Sequence, residues 1–126
     1  MSISESEWLL LELLWAKAPQ GSQELVGELA ESKGWARSTT ITLLQRLIKK
    51  GAVRAVPKGS RFIYEPAVER ATCVTAEATS FLDRLFGGSL HPFVAHFAKQ
   101  QRLTKQDVTE LRALLDTIDA PKKHRS

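Results

Sequence analysis

Cysteine is almost absent: Cys73 is the only one in 126 residues. One thiol forms no intrachain disulfide and builds no thiolate metal site. A reducing cytoplasm is the natural setting. Long apolar runs are absent too. None approaches the roughly 18 residues that span a bilayer, and the N-terminal MSISESEW is polar and acidic rather than a secretory leader. A cytoplasmic location without a membrane partner is expected. Enzyme motifs are missing as well. There is no G-x-S-x-G, no P-loop and no carboxylate pair with a catalytic partner, and KGS at 58–60 lacks the preceding glycines of a phosphate loop. His91, His96 and His124 are scattered, and the step from His91 to His96 misses the i, i+4 spacing of a helical metal pair. Cys73 has neither a helix start nor a cation beside it to activate it. Neither catalysis nor a cofactor is expected.

What is present is an ordinary globular composition, 43% apolar and 25% charged, with a net charge of +4 and a pI near 9.5. The charge excess suits a polyanion, provided that it is concentrated on one surface. The length predicts one domain, or one domain with a small appendage.

Ser4 and Glu7 have the S-x-x-E spacing of a capping box. The helix behind them, closed by Pro19, places Trp8, Leu11 and Trp15 on one face with Leu14 beside them. Leu9, Leu10 and Leu13 are then surplus to one core and suggest a second contact. A second helix is expected from a Ser22 N-cap to Gly34, with Leu25, Leu29 and Ala30 inward. A third runs from about Ser38 to Lys50 and stops at Gly51. Its inward residues are Thr40, Leu44, Leu47 and Ile48. AVRAV and RFIYEP, joined by PKGS, read as a β-hairpin. Three helices followed by a hairpin is the winged helix-turn-helix order. The expected core is Trp8, Leu11, Trp15, Leu29, Leu44, Leu47, Ile48, Val53, Phe62 and Tyr64.

The fold class is therefore mainly α with a small β-hairpin wing. The winged domain should occupy 1–70 and a helical dimerisation region 71–120, with a basic flexible tail at 121–126. The C-terminal helices carry apolar stripes: Val74, Ala78, Phe81, Leu82 and Leu85; then, after the FGGS break, Leu90, Phe93, Val94 and Phe97; then, behind a capping signal at Thr104–Asp107, Val108, Leu111, Leu115 and Ile118. About fifty residues bury too little surface to stand alone. A second copy should cover them, through Phe81, Leu82, Leu85, Leu90, Phe93, Val94, Phe97, Val108, Leu111 and Leu115.

The third helix carries the chemistry. With its core stripe inward, Ser38, Ile41, Thr42, Gln45 and Lys49 point out, with Arg46 at the edge. Hydroxyls, an amide, one β-branched residue and cations suit base edges, thymine methyls and phosphates better than they suit bare solvent. The candidate DNA-contacting set is Ser38, Thr39, Ile41, Thr42, Gln45, Arg46 and Lys49 on the helix, with Lys58 and Arg61 on the wing. Arg54 clusters with these two. A winged helix used for protein–protein assembly, with no DNA contact, is the alternative from another class. A repressor released by a small molecule is a third.

The segments SESEWLLLELLW, GWARSTTITLLQRLIKKG, KGSRFIYEP and FGGSLHPFVAHF…LTKQDVTELRALL resemble the penicillinase-repressor family, from about Ile3 to Leu115. That family includes the β-lactamase, methicillin-resistance and copper-responsive repressors. The resemblance implies a homodimeric transcriptional repressor on an inverted-repeat double-stranded DNA operator. It places the DNA-facing positions on Ser38, Ile41, Thr42, Gln45 and Arg46. Antibiotic-responsive members are cleaved after a membrane-bound zinc-protease sensor system is triggered, in the helix after the paired glycines and before a phenylalanine. Here that bond is His96–Phe97, with His96 where relatives have asparagine. The Cys-x-Cys pairs of copper-responsive members are missing. Thr40 stands where the family has an apolar β-branched residue, and its hydroxyl is expected to bond back to a helix carbonyl.

Overall fold

Order begins at the S-x-x-E signal. In the computed structural model, which describes residues 2–119, Ser4 caps helix α1 (Glu5–Ala16). The Glu7 N–H donates to the Ser4 hydroxyl at 3.1 Å, and the Ser4 N–H donates to the Glu7 carboxylate at 2.8 Å. The buried side of α1 is Glu7, Leu10, Leu11 and Leu14, the i, i+3, i+4, i+7 stripe of an amphipathic helix. The helix is thus turned from the face centred on Trp8 and Trp15. Leu10 is central to the core, not surplus. Both indoles are half-buried at its edge, where each N–H finds an acceptor: Trp8 donates to Glu12 at 2.9 Å and Trp15 to the Val68 carbonyl at 3.0 Å. An indole at the core's centre would need that acceptor inside it.

Strand β1 (Gln20–Gly21) and helix α2 (Ser22–Lys33) follow. Gly21, not Ser22, is the N-cap. Leu25 and Leu29 are buried, while Ala30, expected inside, is exposed; the two-leucine stripe is narrow and the next position turns away from it. Gly34 ends α2 in the left-handed conformation at φ 69°, as the sequence predicts. Helix α3 (Arg37–Lys49) buries Thr40, Leu43, Leu44 and Leu47. Ile48 lies half-buried at the edge. Gly51 takes φ 82° beyond its end.

Strands β2 (Val53–Lys58) and β3 (Arg61–Pro66) form the hairpin, turning through Gly59 and Ser60. Gly59 has φ 63°, which a two-residue turn matching the strand twist requires at its first position. β1 adds to the far side of β3, so the two-stranded wing is part of a three-stranded antiparallel sheet in the order β1-β3-β2. β1 pairs only Gln20 with Tyr64 and Gly21 with Ile63, too short to show in a residue pattern. Val53 is buried and Tyr64 half-buried, but Phe62, expected in the core, is 53% exposed. It lies beyond the last β1 pair, opposite Pro57 near the turn, out toward the tip of the hairpin.

The chain separates into two compact units, residues up to 78 and from 79 on. The first contains the core, with Leu10, Leu11, Leu14, Leu25, Leu29 and Leu47 almost fully buried. Each is worth about 2 kcal/mol of burial. The second comprises the last turns of α4 (Arg70–Phe86) with α5 (Leu90–Lys99) and α6 (Lys105–Asp119). Gly87 and Gly88 break the path with positive φ, and the expected cap of α6 is present: the Asp107 N–H donates to the Thr104 hydroxyl at 2.9 Å and the Thr104 N–H returns to Asp107 at 3.0 Å. The basic tail at 121–126 lies outside the described residues.

Glu7 does more than cap α1. Glu7 is 1% exposed, yet its carboxylate accepts from the Lys50 ammonium at 2.6 Å, and Lys50 also donates to the Ser2 carbonyl at 2.6 Å. Burial pushes the carboxyl up, but the Lys50 bond, the Ser4 N–H, the Lys50 charge and the Ser4 hydroxyl together hold it below its ordinary value. This stabilisation is therefore complete above the unfolded value of about 4.3 and is lost as pH falls through the lower folded value. Lys50→Ala strands the buried carboxylate and should cost about 3 kcal/mol. Glu7→Gln removes the charge itself and should cost about 1 kcal/mol, with a flatter acid limb. Urea unfolding of both variants at neutral and acid pH checks this; equal costs or parallel acid limbs would contradict it.

Candidate nucleic-acid interface

Helix α3 presents its candidates because its other side is fixed. Thr40, Leu43, Leu44 and Leu47 are locked into the core. Ser38, Thr39, Thr42, Gln45, Arg46 and Lys49 are exposed, and Ile41 is half-buried at the margin. At about 1.5 Å per residue the stripe from Ser38 to Lys49 is about 16 Å long, the reach of about five base pairs at 3.4 Å each. The helix carries no carboxylate at all. Its last turn holds Arg46 and Lys49. Its first residue is Arg37, exposed and missed by the periodicity because it precedes the apolar stripe. A cation in the first turn works against the helix dipole, so the helix gains nothing from it alone.

Thr40 differs from its expectation. It is fully buried, but its hydroxyl meets no hydrogen-bond partner. The packing of α3 holds the side chain without the bond back to a helix carbonyl.

The wing divides its cations. Arg54 lies opposite Glu65 and donates to it at 2.9 Å, so it belongs to a cross-strand pair, not to the free cluster. Lys58 and Arg61 face each other across the turn, both exposed. Neither forms a salt bridge among the described residues. The Arg61 guanidinium lies back over Gly21, where an added Cβ would come within 3.1 Å of it. The wing is tied to α3 by the Ala52 N–H donating to the Leu47 carbonyl at 2.9 Å.

At the start of α4, Arg70 grips Glu12 with two bonds of 3.0 Å. Contrary to expectation Cys73 does lie at a helix start, in the first turn of α4 three residues after Arg70, but it is buried, and burial, with Glu77 nearby, pushes its thiol up. A neutral, buried thiol is a packing group. Among the described residues no group of His, Cys, Asp and Glu is arranged to hold a metal, and no helix is long and apolar enough to cross a membrane.

In the second unit, Phe81, Phe86, Phe93 and Phe97 form one aromatic cluster, with ring centroids 5.1–5.9 Å apart along its chain of contacts. Phe86 is an addition; beside the glycines it reads only as a helix end. His96 flanks the cluster, 5.7 Å from Phe97. Phe81, Leu82, Phe93, Val94, Phe97 and Val108 are half-buried within the chain, while Leu85, Leu90, Leu111 and Leu115 are exposed.

Three helices, a short third strand and a two-stranded wing make the first unit a winged helix-turn-helix domain, with the outward side of α3 as its candidate reading surface. The sequence model of the penicillinase repressor family matches residues 3–117, and the chain belongs to that family, one of repressors and not of enzymes. It is 30% identical over 121 residues to the penicillinase repressor of Bacillus licheniformis, covering 96% of this chain and 94% of that one. It is 26% identical over 114 residues to the methicillin resistance regulatory protein MecI of Staphylococcus aureus, covering 90% and 93%. The solution structure of the DNA-binding domain of the repressor BlaI matches with a TM-score of 0.52 and 31% identity, over 56% of this chain and 85% of that one. The monomeric form of Bacillus licheniformis BlaI in complex with the blaP half-operator matches with the same score and identity, over 56% and 87%.

Proposed function

We propose that this chain is a DNA-binding transcriptional repressor that acts in the cytoplasm as a homodimer on an inverted-repeat operator. The observation that carries the reading is the outward side of α3: hydroxyls, an amide and cations on a helix free of carboxylates. The likeness to a repressor solved with its half-operator supports it. On this reading Gln45 bonds a base edge, while Ser38, Thr39, Thr42 and the margin of Ile41 follow the groove. Arg46, Lys49, Lys58 and Arg61 hold phosphates, joined by Arg37. Gln45→Ala should cost about 1–3 kcal/mol and relax discrimination at one base position. Arg46→Ala should weaken binding to every duplex and lower the salt slope by about one. Titrations of labelled duplexes at several salt concentrations check both, and unchanged affinity in the two variants would overturn this surface.

Dimerisation is proposed from an imbalance. No residue from 79 to 119 is buried, and Leu85, Leu90, Leu114, Leu115 and Ile118 are each 55–63% exposed. Four of these leucines and the isoleucine repeat along faces that a second copy would cover, giving the two-fold symmetry that an inverted repeat requires. Leu115→Glu combined with Ile118→Glu should yield monomers in sedimentation and weaken operator binding at least tenfold; an unchanged dimer would place the interface elsewhere.

Release by proteolysis between His96 and Phe97, triggered by a zinc-protease sensor system, is the finer part of the proposal. The bond lies within α5, a ten-residue helix with no fully buried residue in the single chain, so a protease would meet it in an extended form only after local unwinding. Cutting there would split the aromatic cluster at Phe97. Mass spectrometry of the protein from induced cells should show fragments split after His96. Intact chain under derepressing conditions would instead favour release by a ligand.

A further inference from the structure

We infer that Phe62 and Pro57 at the tip of the wing pack against the deoxyribose wall of the DNA groove, an apolar contact beside the cationic one. The inference rests on the DNA-binding reading above and adds to it a contact of a different kind. Side chains two apart on a strand share a face, so Phe62 lies with Tyr64 and Pro66. The register sets Pro57, Ala55 and Val53 opposite them on that same face. Burial falls steadily along it. Val53 is 3% exposed, Ala55 and Tyr64 are half-buried, and Phe62 is 53% exposed beside an exposed Pro57.

A hairpin tip that only needs to stay soluble carries polar residues. This one ends in a benzyl ring and a pyrrolidine on one face. On the other face, at the same height, stand Lys58 and Arg61, neither in a salt bridge among the described residues. Arg54, further from the tip on that face, is already held by Glu65. The two faces of the tip therefore differ in what they can satisfy. Lys58 suits phosphate oxygens as it stands, and Arg61 does so once its guanidinium swings off Gly21 and the Glu24 carboxylate beside it. The ring and the pyrrolidine match the C–H surface of the sugars between those phosphates, and apolar side chains of these types are the ones minor-groove binders use. A partner protein surface would have to offer carboxylates and an apolar patch within one residue of each other. A hairpin tip set into a groove meets that alternation on both sides, with sugar C–H surface against one face and phosphate oxygens against the other.

The test compares the full-length wild type with Phe62→Ala, Phe62→Leu and Lys58→Ala on an operator duplex and an unrelated duplex across a salt series. Phe62→Ala should bind both duplexes roughly tenfold more weakly, with the salt slope unchanged. Phe62→Leu should recover most of the loss. Lys58→Ala should lower the slope by about one. Because Phe62 is exposed, the melting temperature of Phe62→Ala should match the wild type. An affinity equal to wild type would overturn the inference while leaving the DNA reading intact. So would a loss accompanied by a lower melting temperature, which marks a packing role, or by a lower salt slope, which marks a role in placing Arg61. A change in dimer sedimentation would make a second copy the occupant and overturn it too. Failure of the wild type to bind any duplex would instead remove the DNA reading itself.

Discussion

The ion pair between Glu7 and Lys50 is the constraint on which the placement of α3 depends. Glu7 sits in the first turn of α1 and Lys50 at the C-cap of α3. Glu7 is needed three ways: it closes the capping box, neutralises Lys50 and fills a buried position. Lys50 in turn holds both the carboxylate and the Ser2 carbonyl. The end of α3 is therefore fixed against the start of α1, while Thr40, Leu43, Leu44 and Leu47 fix its rotation. A helix pinned in both position and rotation presents the same outward side chains in every molecule, as a reading surface must.

Charge is sorted along the chain by what each cation has as a neighbour. Lys50, Arg54 and Arg70 meet Glu7, Glu65 and Glu12, so they serve the fold. The cations of α3 and the wing tip have no carboxylate on their own elements close enough to pair with. The cations left without a salt bridge in the winged domain thus include those of α3 and of the wing tip. The second unit has the opposite character. Its surplus is apolar, and its aromatic cluster satisfies only part of it.

Features with local causes were legible in the sequence. The Ser4–Glu7 and Thr104–Asp107 boxes, the left-handed Gly34 and Gly51, and the hairpin turn at Gly59 each depend on a few neighbouring residues. The exposed side of α3 followed from its period. Features set by distant partners were not legible. The rotation of α1 toward Leu10 leaves the Trp15 indole at the core's edge, where it meets the distant Val68 carbonyl, while Trp8 finds Glu12 on its own helix. Phe62 leaves the core because β1 stops one pair short of it. Arg54 leaves the free cluster because the register brings Glu65 opposite. Thr40 is fully buried with its hydroxyl unpaired, which no local pattern marks.

The central claim is that this winged domain, paired with a second copy, reads a two-fold symmetric DNA site. Footprinting of the purified full-length protein on the DNA upstream of its own gene tests it most directly. The account predicts a protected inverted repeat whose half-sites lie on one face of the duplex, about one helical turn or a multiple of it apart. Absence of protection even at low salt, where phosphate contacts are strongest, would contradict it.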